Sequence, residues 1–376
     1  MQADIFCRVV DNYGDIGVCW RLARRLAHGC GWDVRLWVDD LASFARIQPG
    51  IAPDRARQSC QGIDVVQWSD TPDPALTPRD VVIEAFACDP PEVFLDHMRH
   101  SHPVWINLEY LSAEAWVESC HGLPSQRPDG LVKHFFFPGF TAATGGLLRE
   151  PGLSAERDAF QADPAAQDAF LRSLGVAEAL LSHRRNGARR EGARTVSLFC
   201  YPNAPVGALA RALASDPQPA LVLAPQGVAP GLEAACAIPG GPAVARLPFV
   251  AQPDFDRLLW CADLNFVRGE DSFVRAAWAA RPLVWQIYPQ DENIHLEKLD
   301  AWLARYPAPE TAAALIRAWN APGDGEPAVR ALAHALAPAA WQGWTRAARD
   351  WDANQAALPD LAENLASFCA ELAKKR

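Results

Sequence analysis

Two short segments of this 376-residue chain combine residue types able to do chemistry with positions from which a chain can present them. The first is Asp11-Asn12-Tyr13-Gly14-Asp15, a loop between a short apolar strand over residues 5–10 and a helix in which Ile16, Cys19, Trp20, Ala23, Leu26 and Ala27 recur at helical spacing. A phosphate-binding turn at this position would be rich in glycine, so that backbone N–H groups could approach the anion. Asp11 and Asp15 would repel a diphosphate. The pair suits a cation, or a nucleophile that needs a base, while Gly14 and Gly17 keep the loop tight. A local use of the same side chains is a helix cap at Asp15 and an Asx-turn at Asp11.

The second segment is Arg268-Gly269-Glu270-Asp271-Ser272, between a strand over 264–267 and a helix over 273–280. Gly269 permits close approach, the helix start offers unpaired N–H groups, and Arg268 adds a planar fork that fits phosphate oxygens. That is the chemistry of a nucleoside diphosphate. Glu270 and Asp271 also fit as ordinary helix-start acids paired with Arg268. Phe199, Tyr201, Phe249, Phe255 and Tyr288 fall at or near strand ends, where rings could sandwich a base or simply fill the core.

Other combinations point elsewhere. Asp254-Phe255-Asp256 has a D-x-D form that binds metal in some enzymes, but at a helix start its carboxylates diverge and Asp254 reads as an N-cap. His97, His100 and His102 lack a second ligand set, so no metal site is assigned, and no cofactor. The ten cysteines are scattered without a C-x-x-C pair, which fits reduced thiols in a cytoplasmic protein.

Elements able to position these segments follow from the apolar pattern. Strands are expected at 34–38, 65–68, 81–84, 104–107 and 133–137, then at 195–200, 220–224, 244–247, 264–267 and 283–287. Helices are expected at 206–214, 255–261, 273–280 and 292–305, and alanine-rich helix after Pro327. A polar, basic stretch through Ser182-His183-Arg184-Arg185-Asn186-Gly187 reads as the connection between two α/β domains. Their ranges are 1–183 and 190–350, with a final helix over 355–376 packing back on the first. A net charge of −10 disfavours broad nucleic-acid binding, and no run approaches the roughly 18 apolar residues of a membrane span.

Taken together, DNYGDIGVCWRLARRL near the start and RGEDSFVRAAWAARPLVWQIYPQ late in the chain resemble the elongation factor P arginine rhamnosyltransferases, over essentially the whole length. The resemblance implies a GT-B-like α/β fold, two Rossmann-like domains facing a central cleft, with a C-terminal helical tail. It implies an inverting transfer of rhamnose from dTDP-β-L-rhamnose to an arginine of elongation factor P. By motif, Asp11 and Asp15 match the acceptor and catalytic aspartates, with Asp15 the leading base. Glu270 joins them as a catalytic residue that positions the donor or supports the developing cation. Phe199, Tyr201, Phe249, Gln252, Phe255, Arg268, Glu270, Asp271, Ser272 and Tyr288 match the donor region. A nucleotide-sugar epimerase of the same fold, or a non-catalytic nucleotide-sugar-binding protein, is the alternative.

Overall fold

The computed structural model describes residues 1–10, 13–69, 73, 75–185, 192–289, 294–323 and 325–375. The chain divides into two units, Met1–Pro151 with Gln355–Arg376, and Gly152–Asn354.

The first unit is built on eight strands: β1 (Gln2–Cys7), β2 (Asp33–Val38), β3 (Arg57–Cys60), β4 (Ile63–Gln67), β5 (Val81–Ala85), β6 (Val104–Leu108), β7 (Pro124–Gln126) and β8 (Val132–Phe136). Their order is β3-β4-β2-β1-β5-β6-β8-β7, parallel except for antiparallel β3 on β4 and β7 on β8 at the two edges. The central strands are buried, as expected of parallel strands covered on both faces. Phe6 and Trp37 stack in the core at 5.1 Å.

The first strand starts earlier than the apolar run over 5–10 suggests. Asp4 is fully buried inside it, and the carboxylate accepts from Arg35 Nε (2.5 Å), Trp37 Nε1 (2.8 Å) and the Arg79 N–H (2.9 Å). Donors from a neighbouring strand and a distant loop make a charge tolerable there, and local pattern does not reveal them.

The helix Gly14–Arg24 follows β1, buries Ile16, Cys19, Trp20 and Ala23, and ends in a π turn, Arg25–Gly29. Arg25 there forms a buried ion pair with Asp360, the N-cap of the last helix, Leu361–Lys374. Leu361, Ala362, Leu365 and Cys369 of that helix are buried.

The second unit carries β9 (Arg194–Leu198), β10 (Ala220–Pro225), β11 (Ala243–Leu247), β12 (Leu264–Arg268) and β13 (Leu283–Gln286), all parallel, in the order β11-β10-β9-β12-β13. Residues 152–183, assigned to the first domain from sequence, belong to this unit. Leu171, Val176 and Leu181 share a core with Leu221, Leu223, Leu247 and Leu258, and Arg157 Nη1 donates to the Trp278 carbonyl at 2.8 Å. Amphipathic spacing marks an apolar face without naming the sheet it will cover. Of the expected connection, residues 182–185 are the last turn of the helix Glu178–Arg185, and residues 186–191 lie outside the described residues.

Among the parallel strands of each sheet the order reverses once, beside β1 in the first unit and beside β9 in the second. At such a switch point the loops from adjacent strands part, and a crevice opens at the strands' carboxyl ends. Asp15 of the first segment emerges there in the first unit, and Arg268 to Ser272 in the second.

Candidate active site

Asp15 sits in the first turn of the helix Gly14–Arg24, next to β1, and is 2% exposed. Tyr13 occupies the N-cap position without a side-chain cap bond, so Asp15 is not the cap. Its Oδ2 reaches back to accept the Val10 N–H at 2.8 Å, and the Tyr110 hydroxyl lies 3.5 Å from Oδ1. The first bond ties Val10 to the helix and holds the carboxylate. Asp11 lies outside the described residues.

Tyr110 and its neighbour Glu109 follow β6, and Phe86 follows β5. Asn107 ties them together: its Oδ1 accepts the Ala87 N–H at 3.1 Å and its Nδ2 donates to Glu109 Oε1 at 2.6 Å. Sequence reasoning missed these residues; their one visible signal is position, immediately after buried strands.

In the second unit, Arg268 ends β12 with its guanidinium over two rings, 4.7 Å from the centroid of Phe199 and 4.8 Å from that of Tyr201. Gly269 turns the chain with φ +62°, a conformation that costs glycine little. The helix Asp271–Trp278 then begins, with Glu270 as its N-cap residue and no side-chain cap bond. Asp271 and Ser272 occupy its first turn, where the helix dipole favours an anion.

Phe199 packs edge-on against Phe255 (5.6 Å) and Phe249 (6.5 Å), and Tyr201 against Tyr288 (5.7 Å), which is 46% exposed. Gln252 is buried at the start of the helix Gln252–Cys261. Cys200, between two of these aromatics in sequence, is buried, and burial pushes its thiol up to about 12.

Two buried polar links hold this arrangement, and neither was legible as functional. Gln286 of β13 accepts the Tyr201 N–H at 2.7 Å, donates to Asn203 Oδ1 at 3.0 Å, and accepts the Gly269 N–H on its carbonyl at 3.3 Å. It thereby joins the loop after β9 to the turn after β12. A glutamine in the apolar run Leu-Val-Trp-Gln was the available signal. Asp256 receives Arg275 in two bonds, Nε to Oδ1 at 2.9 Å and Nη2 to Oδ2 at 2.7 Å, locking the helix that carries Gln252 and Phe255 to the helix that starts at Asp271.

The N-cap of Gln252–Cys261 is Ala251, which corrects the expectation that Asp254 caps it. Asp254 instead lies 3.5 Å from Arg257 on the surface while Asp256 faces inward, so the D-x-D carboxylates part. Among the described residues no group of three or more His, Cys, Asp or Glu side chains gathers as a metal ion would require.

A buried carboxylate at one switch point and an arginine-topped helix start at the other agree with what the whole sequence matches. Residues 3–370 fit the family of the elongation factor P (EF-P) rhamnosyltransferase EarP. The chain belongs to the EarP family. It is therefore an enzyme, a glycosyltransferase of the GT-B fold. Two protein-arginine rhamnosyltransferases of this kind are similar throughout: that of Pseudomonas putida is 50% identical, covering 97% of each chain, and that of Pseudomonas aeruginosa is 48% identical, covering 98% of each. A solved structure concerned with EarP-mediated arginine glycosylation of translation elongation factor EF-P is 36% identical, with TM-score 0.65 over 98% of this chain and 99% of that one. MurG of Acinetobacter baumannii, at 12% identity and TM-score 0.57 over 98% and 99% of the chains, shares the fold alone. Among the described residues of this EarP-family chain, no helix is long and apolar enough to cross a membrane.

Proposed function

We propose that this chain moves L-rhamnose from dTDP-β-L-rhamnose to one arginine side chain of translation elongation factor P in the cytoplasm. The transfer is a single inverting displacement that gives an α-rhamnosyl arginine and uses no metal ion or cofactor. Membership of a family described as EF-P rhamnosyltransferases supports the acceptor. The observation that carries the mechanism is the buried Asp15 carboxylate at the sheet's switch point, held by Val10 through one oxygen with the other toward Tyr110.

An arginine guanidinium is protonated at ordinary pH and its lone pairs are delocalised, so it attacks poorly until a base shares its proton. Asp11 and Asp15 grip it, and Asp15 takes one N–H proton as the nitrogen bonds to the anomeric carbon. The bond from that carbon to the diphosphate oxygen breaks on the opposite side, and its electron pair leaves on dTDP. Arg268, Ser272 and the first N–H groups of the helix Asp271–Trp278 offset the charge gathering there. Glu270 supports the cation-like sugar or positions it. Phe199, Phe249 and Phe255 enclose the base, and Tyr201, Gln252, Asp271 and Tyr288 complete the donor pocket.

Intact-mass analysis of EF-P incubated with the enzyme and dTDP-β-L-rhamnose tests the reading. The expected result is a gain of one deoxyhexosyl group, mapped to a single arginine. EF-P that keeps its mass while the donor remains intact would overturn it.

A further inference from the structure

Beside Asp15, the loop after β5 adopts a costly shape. Phe86 (φ 60°), Ala87 (φ 54°) and Asp89 (φ 44°) are left-handed without being glycine, three within four positions. Each such residue costs on the order of 1 kcal/mol or more, and clusters of them persist only where surrounding contacts enforce them. Those contacts are present. The Phe86 N–H donates to the Leu108 carbonyl (2.7 Å), the Ala87 N–H to Asn107 Oδ1 (3.1 Å), and Asp89 Oδ1 lies 3.5 Å from Arg127 and 3.6 Å from Lys133.

The result is a flat pair of rings. Phe86 stacks on Tyr110 with centroids 4.2 Å apart and planes 13° from parallel. Phe86 is half-buried, whereas Tyr110 remains 43% exposed at the switch point between β1 and β5. The Tyr110 hydroxyl lies 3.5 Å from Asp15 Oδ1, longer than the roughly 2.5–3.0 Å of a good O–H···O bond. An aromatic face ending at a carboxylate matches a planar cation: a guanidinium stacks its face on a ring while its edge donates to the carboxylate. An ammonium has no face to stack.

We propose that Tyr110, backed by Phe86, is the platform on which the acceptor guanidinium lies while Asp15 takes its edge, and that this platform selects arginine over lysine. The inference rests on the reading of an arginine acceptor held at Asp15. Tyr110 touches the substrate through its ring; Phe86 is a positioning residue.

The experiment measures steady-state transfer to EF-P from dTDP-β-L-rhamnose for the wild type, Tyr110→Phe, Tyr110→Leu and Phe86→Leu, with urea midpoints to check folding. Tyr110→Phe keeps the ring, and its KM for EF-P stays within about threefold of wild type. Tyr110→Leu raises that KM about tenfold or more and leaves the KM for the donor unchanged. Phe86→Leu moves the same constant in the same direction by less. An unchanged KM for EF-P in Tyr110→Leu would overturn the platform, as would equal losses in Tyr110→Phe and Tyr110→Leu, or a parallel rise in the donor KM. A wild-type enzyme that transfers no rhamnose to EF-P would instead overturn the functional reading beneath it.

Discussion

The Arg268 guanidinium lies over the ring of Phe199, 4.7 Å from its centroid, at the turn where β12 gives way to a helix start. A stack of this kind aims the fork of N–H donors without consuming them, because the ring engages only the face of the cation. Arg268→Ala should therefore weaken dTDP binding about tenfold to a hundredfold, measured by titration calorimetry. Arg268→Lys should recover only part of it, since an ammonium keeps the charge and loses the planar fork. Unchanged affinity in the alanine variant would remove Arg268 from the diphosphate site.

Asp15→Asn retains an oxygen that can accept the Val10 N–H, so the tie between Val10 and the helix should persist. The amide cannot accept a proton from the acceptor. Single-turnover transfer should fall by roughly 10²–10⁴ with dTDP affinity nearly intact. A variant that turns over like wild type would exclude Asp15 as the base.

Gln286→Met keeps the volume and removes both side-chain hydrogen bonds, leaving the buried Tyr201 N–H without its acceptor. Urea unfolding should show a loss of about 1–3 kcal/mol, and the donor KM should rise because the loop after β9 is released. A stability loss with an unaltered donor KM would confine Gln286 to a packing role.

Arg275 and Asp256 are both buried, so removing one partner strands the other's charge. Arg275→Met alone should cost about 3–5 kcal/mol, and the double variant Asp256→Leu with Arg275→Met should cost less than either single change. A thermodynamic cycle from chemical denaturation reads the coupling directly. Additive losses would mean that the pair is not what locks the two helices.

Glu84 is buried in β5 beside Lys133, and burial, opposed by that lysine, pushes its carboxyl up to about 7 from 4.5. The native state then holds a proton that the unfolded chain has released, so unfolding free energy falls as pH rises between about 4.5 and 7 and levels off above. Glu84→Gln removes this dependence. The urea midpoint of the variant relative to wild type should rise from about pH 5 to about pH 8, whatever its constant offset. A pH-independent difference would contradict the raised value.

The apolar runs of the sequence determined the alternation of buried strands and helices and the positions of the two chemical segments, because burial on both faces of a parallel strand is written into consecutive residues. That is why the helix at 206–214 appears within its expected bounds and why Asp15 and Arg268 emerge at strand ends. The polar edge strands β3 and β7 left no such trace, since half of each faces solvent. Nor did sequence spacing assign residues 152–183 to the second sheet. Only the tertiary structure joined Gln286 to Tyr201, Asp256 to Arg275, and Phe86 to Tyr110 beside Asp15. The physical reason is common to all three: each pair is drawn together by the order in which strands lie side by side, which local periodicity does not encode.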